Sequence, residues 1–136
     1  MDINIDFDGT CVTHEYPKIG KDIGAIPVLK RLVQNGHRLI IFTMRSDGTL
    51  DEAVNWFEEN DIPLFGIQTN PTQNWTTSPK SYAQLMIDDS ALGCPLKCFY
   101  REIEFNGEKV MVKDGRNFVD WKKVEKLLES EGILKT

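Results

Sequence analysis

Four apolar residues in an unbroken row, Leu39-Ile40-Ile41-Phe42 in "HRLIIFT", constrain this chain most. A strand with one wet face alternates apolar and polar residues. A run with no polar partner belongs to a strand covered on both faces, and such strands are found in parallel sheets. Parallel neighbours need crossover connections, usually helices. The flanking sequence supplies them. Before the run, "AIPVLKRLVQNG" places Ile26, Leu29 and Val33 at helical spacing, with Val28 and Leu32 alongside and Gly36 as the stop. After it, "TLDEAVNWFEEN" predicts a helix capped at Thr49, with Glu52 three residues on and Leu50, Val54 and Phe57 on one face.

Three more segments read as strands: 3–7, with Asn4 interrupting its apolar run, "PLFGIQTN" and "YAQLMIDD". Strands alternating with helices predict an α/β fold with a mainly parallel central sheet. The tail differs. "CFYREIEF-NG-EKVMV" predicts a β-hairpin turning at Asn106-Gly107, and "FVDWKKVEKLLESEG" an amphipathic helix with Trp121, Val124, Leu127 and Leu128 inward. Both are expected to serve the core rather than a ligand. The 136 residues suit one domain, 1–136, with no repeat or linker.

Ligands of parallel sheets bind at the carboxyl ends of the strands. Asp6 and Asp8 end the first strand here, Thr43 the second, and Asp88 and Asp89 the last. Four carboxylates at one edge call for a cation. A carboxylate at Asp6 can attack phosphorus as a nucleophile. Asp8 can protonate the leaving oxygen and then deprotonate the attacking water. Gly9 permits a tight turn and close approach of backbone to phosphate. The hydroxyls of Thr10 and Thr43 can bind phosphate oxygens, and Lys80 can neutralise phosphate and Asp6. Asp6 and Asp88 offer hard oxygen ligands for Mg²⁺, with Asp89 in an outer shell or orienting Lys80. Four carboxylates against Mg²⁺ and Lys80 leave one negative charge. Repulsion pushes one carboxyl pKa up, and a proton on Asp8, the form a general acid needs, balances the site.

The motifs "INIDFDGT", "LIIFTMR", "SPK" and "LMIDDSALG", in that order over residues 3–93, resemble those of the haloacid dehalogenase superfamily of phosphohydrolases. The resemblance implies a Rossmann-like three-layer sandwich and a Mg²⁺-dependent phosphatase. Asp6 would be the nucleophile and Asp8 the acid/base, with Thr43 and Lys80 on the phosphoryl group. Asp88 would be a side-chain metal ligand and the Asp8 carbonyl a further one. The adjacent Asp88-Asp89 pair and the short gap from Lys80 are subtype features. Residues 11–24 and 46–49 are too few to hold an inserted domain, so no cap is expected. A phosphate-binding regulatory domain and a phosphomutase are the alternatives, and the intact acid set disfavours the first.

Other readings bound the function. "DFDGT" is not a calcium loop, because Gly9 stands fourth where such a loop needs glycine sixth. Arg45 is either a substrate contact or a solvated cation. His14, Tyr16, Lys18, Asn74 and Trp75 are loop candidates beside the site. Cys11 lacks a base partner and reads as a small inert residue. The formal net charge of −5 disfavours nucleic acid as partner. No run is long enough for a membrane span, and no leader pattern is visible. Three cysteines without a C-x-x-C pair suggest free thiols in a cytoplasmic protein. The expected partner is a phosphorylated substrate, either a macromolecule reaching an open site or a small molecule covered by a homo-oligomer.

Overall fold

The computed structural model describes residues 1–135. Its elements run β1 (Asp2–Ile5), α1 (Ala25–Gln34), β2 (Arg38–Ile41), α2 (Asp47–Glu59), β3 (Gly66–Ile67), β4 (Leu85–Ile87), β5 (Leu96–Phe105), β6 (Glu108–Val119) and α3 (Trp121–Ser130). Strands β3-β2-β1-β4 form a parallel sheet in that order, and β5-β6 a separate antiparallel ribbon. This is the expected Rossmann-like three-layer α/β arrangement with a hairpin and helix at its end. Among the described residues no helix is long and apolar enough to cross a membrane.

Register decides where the site lies. Ile5 at the end of β1 sits between Ile41 of β2 and Ile87 of β4. The three strands therefore stop level, and the loops that leave them emerge at one edge. The ladder extends one step further, with Asp6 N–H donating to Ile87 O (3.0 Å) and Phe42 N–H to Ile5 O (2.9 Å). Asn4 is buried within β1 without cost, because its amide donates to Ser81 O and accepts from the Ser81 hydroxyl. Ile3, Ile5, Leu39 and Ile41 are fully buried and join α1 (Leu29, Leu32) and α3 (Trp121, Leu128) in one core. Phe7 meets Trp56 and Phe57 of α2, ring centroids 5.6 and 6.3 Å away.

Three expectations are corrected. Helix α2 is capped at Ser46, three residues early: Ser46 N–H donates to the Thr49 hydroxyl (3.3 Å), which donates to Ser46 O (2.8 Å). Thr49 thus closes the first turn rather than starting it. Strand β3 is two residues long: Gln68 makes a last N–H bond to Ile41 O (2.7 Å), turns to φ +64°, and brackets Thr43 with its side chain. Leu127 of α3 is 49 % exposed, while Trp121, Val124 and Leu128 are buried.

Candidate active site

The loop after β1 is built to be compact. Gly9 has φ +81°, the left-handed region that favours glycine. A Cβ there would also collide with the His14 ring and the Asp89 carboxylate. The tight turn expected at Gly9 is present. The missing side chain also lets His14 Nε2 reach Asp89 Oδ2 (2.9 Å). The far end of the chain holds the loop down. Val119 N–H donates to Gly9 O (3.0 Å), and the buried Trp121 indole donates to Thr10 O (2.7 Å).

One open pocket of about 540 Å³ gathers Asp6, Asp8, Thr43, Arg45, Asp88 and Asp89 with His14, Tyr16, Met44, Ser90 and Arg116. A larger groove of about 730 Å³ beside β3, lined by Val54, Ile62, Pro63 and Ile67, lies away from the acids. Asp6, Asp88 and Asp89 each offer a carboxylate oxygen within 4.8 Å of the others. Asp88 is oriented by Ser90, whose N–H and hydroxyl both donate to its Oδ1 (2.9 and 2.7 Å). Burial pushes the Asp6 carboxyl up to about 8, with the adjacent Asp89 carboxyl and the charge of Asp88 adding to the rise and the Thr10 hydroxyl opposing it. Three converging hard oxygen donors fit Mg²⁺, whose charge would offset both the burial and the crowding that raise Asp6.

Several expected contacts differ. One carboxyl of the cluster was expected to be raised, and Asp6 is, chiefly by burial. Asp8 instead meets Arg45 in a two-pronged ion pair, Nε to Oδ2 and Nη2 to Oδ1, both 2.8 Å. The Asp8 carboxylate is not one of the three clustered acids, which leaves its carbonyl as the atom expected to reach a metal. Arg45 is neither a substrate contact nor a solvated cation: it is 1 % exposed and spends its other donors on the carbonyls of Pro17, Lys18 and Thr49. Thr10 does not face the pocket either. Its buried hydroxyl donates to Asp6 Oδ2 (2.8 Å) and accepts from Asp89 N–H (3.0 Å), a strut between two acids.

Lys80 is exposed, its ammonium makes no ion pair or hydrogen bond among the described residues, and it does not line the pocket. Its main chain is what the loop uses, accepting from Gln73 Nε2 (2.8 Å). Thr43 stands at the pocket wall as expected, held by the Gln68 amide. Trp75 is 67 % exposed and leans on Tyr82 outside the pocket, and Asn74 is outside it too. Burial raises the Cys11 thiol well above its usual range, as an inert residue requires.

Sequence reasoning missed three pocket residues, Met44, Ser90 and Arg116, the last because the hairpin reads as purely structural. The available signal was Gly115, since a glycine inside a strand pattern marks a bulge or a close approach.

No protein-family model matches the sequence, and no curated protein matches it. Among solved structures, that of a conserved protein coded by a locus from Bacteroides thetaiotaomicron is similar, with a TM-score of 0.72 and 31 % identity over 100 % of this chain and 93 % of that one. With that identity across its whole length, the chain belongs to the family of this conserved Bacteroides thetaiotaomicron protein.

Proposed function

We propose that this chain is a Mg²⁺-dependent phosphatase of the haloacid dehalogenase type, hydrolysing phosphate monoesters through an aspartyl-phosphate on Asp6. One observation carries the reading: Asp6, Asp88 and Asp89 converge, with Asp8 and Thr43, in one pocket at the carboxyl edge of a parallel sheet.

The metal, held by Asp6, Asp88 and Asp89, would neutralise the acids and polarise the phosphoryl oxygens. An Asp6 oxygen attacks phosphorus, and the ester P–O bond breaks. Asp8, which must first take a proton from solvent, gives it to the leaving oxygen; as the carboxylate it then removes a proton from a water that attacks the same phosphorus, which releases phosphate and Asp6 and restores the protonated Asp8. Arg45 fixes where the Asp8 oxygens stand for both transfers. Thr43 offers a hydroxyl to the phosphoryl group. Tyr16 and Met44, 62 % and 98 % exposed at the mouth, leave room for the organic part of the ester. Free Cys11, Cys94 and Cys98 fit a reducing compartment, and the cytoplasm is the proposed location.

Hydrolysis of p-nitrophenyl phosphate with and without Mg²⁺ tests the reading. Wild type should turn over only with metal, and Asp6→Asn should retain the fold and lose at least about a thousandfold in rate. Turnover that survives EDTA, or that survives Asp6→Asn, would sink it.

A further inference from the structure

We propose that Arg116, delivered by the C-terminal hairpin, is the cation that grips the phosphoryl group of the substrate. This inference rests on the phosphatase reading above.

The ladder between β5 and β6 runs regularly from Phe105↔Glu108 to Phe99↔Asp114 and resumes at Lys97↔Phe118. Across the break a single residue, Cys98, faces three, Gly115, Arg116 and Asn117. Gly115 has φ +92° with no atom near its would-be Cβ, so the backbone, not crowding, calls for glycine. A bulge of this kind re-aims the side chain it carries, and Arg116 lines the pocket that holds the acids. The base of β6 is anchored immediately beyond. Phe118 is buried and packs on Phe99 (4.9 Å), and Val119 and Trp121 bond the Gly9 and Thr10 carbonyls. The hairpin and the nucleophile loop are therefore one rigid unit at this point.

Charge selects Arg116 for the task. Four carboxylates line the pocket, with Arg45 and Arg116 as its lysine and arginine cations. Arg45 is fully engaged with Asp8 and three carbonyls. A divalent metal and Arg45 leave one negative charge on the acids before a phosphate dianion arrives. Arg116 has no carboxylate partner among the described residues, although Asp114 is two positions away. A guanidinium fork suits two phosphate oxygens at once. Lys80 does not line the pocket, which leaves Arg116 to do what a phosphate-binding lysine would.

The test is calorimetric binding of inorganic phosphate in the presence of Mg²⁺, alongside KM and kcat for p-nitrophenyl phosphate. Arg116→Ala should weaken phosphate binding about tenfold to a hundredfold and raise KM in step, as loss of a charge-assisted hydrogen-bonded pair requires. Arg116→Lys should recover part of the loss, and Lys80→Ala should bind within about twofold of wild type. Gly115→Ala keeps the cation but strains the bulge, and should also weaken binding with an unchanged circular-dichroism spectrum. If folded Arg116→Ala binds phosphate like wild type, or if Lys80→Ala carries the loss instead, the assignment is wrong. A wild type that binds phosphate through Arg116 but never hydrolyses an ester would refute the phosphatase reading alone. A wild type that does neither refutes both.

Discussion

Arg45→Ala separates a strut from a substrate contact. The guanidinium makes two 2.8 Å bonds to Asp8 and three more, of 2.7 to 3.2 Å, to the carbonyls of Lys18, Thr49 and Pro17. Its side chain is 0 % exposed, and that of Asp8 is 18 % exposed. Truncation strands a mostly buried carboxylate and three carbonyls at once. Breaking a buried ion pair costs about 3–5 kcal/mol, and the partial exposure of Asp8 puts this case near the lower end. An unfolding entropy of roughly 2.1 cal/mol/K per residue gives about 0.29 kcal/mol/K for a chain of 136 residues. A cost of about 3–4 kcal/mol then lowers Tm by about 10–14 °C, read by calorimetry or circular dichroism. Arg45→Lys should recover less than half, since one ammonium has three donors for five acceptors. A Tm within about 3 °C of wild type, with phosphate affinity collapsing instead, would refute this account and return Arg45 to the substrate.

Most of the fold can be read in the sequence because local and global signals agree. The row Leu39–Phe42 places β2 in the sheet, and Ala25–Gln34 follows its apolar stripe. Asn106-Gly107 turns the hairpin with φ of +52° and +77°. The misplacements are at boundaries, where alternatives differ by little. Ser46 and Thr49 are both credible caps, and only the exchange of hydrogen bonds between them ranks them. A long third strand is cut short where Gln68 turns to φ +64° and its side chain serves Thr43 at the end of the neighbouring β2, 25 residues away in sequence.

The acids were legible for a simple reason: strand ends are predictable, and in a parallel sheet all strand ends share an edge. Their partners were not, because contacts across the fold leave no local spacing. Arg45 lies two residues from Thr43, yet its direction is set by Asp8 and the 17–18 carbonyls. Thr10 looks like a phosphate donor from its place in Asp-Gly-Thr, but burial turns its hydroxyl into a link between Asp6 and Asp89. His14 is one loop residue among several until Asp89 is seen 2.9 Å from it. Arg116 sits 110 residues after Asp6, and the anchoring of Val119 and Trp121 on the loop after β1 brings the two to one pocket.

The acid cluster carries two further outcomes. Gly9→Ala must strain a φ of +81° and push apart His14 and Asp89, so it should lower Tm by several degrees and weaken Mg²⁺ binding measured by calorimetry. The second concerns pH, and its sign is fixed by Asp6. The carboxyl rises from an ordinary 3.8 to about 8 in the folded, metal-free chain. Between those values the folded state keeps a proton that the unfolded state has released, so stability falls as pH rises, by at most about 1.4 kcal/mol per pH unit. Below the lower value and above the upper one Asp6 contributes no slope. Asp2, lowered by its hydrogen bond to Arg38, works in the opposite sense and adds stability that is lost only in acid. Comparing wild type with Asp6→Asn at each pH removes every group but Asp6. In EDTA the neutral amide should equal or trail wild type near pH 4 and overtake it by about 2–3 kcal/mol between pH 5 and pH 7, read from urea unfolding. Saturating Mg²⁺ takes over the role of the proton and should flatten the wild-type slope while leaving Asp6→Asn nearly unmoved. A wild type whose stability gap to Asp6→Asn stays constant from pH 5 to pH 7 would mean that Asp6 holds no such proton and that the three acids do not crowd as described.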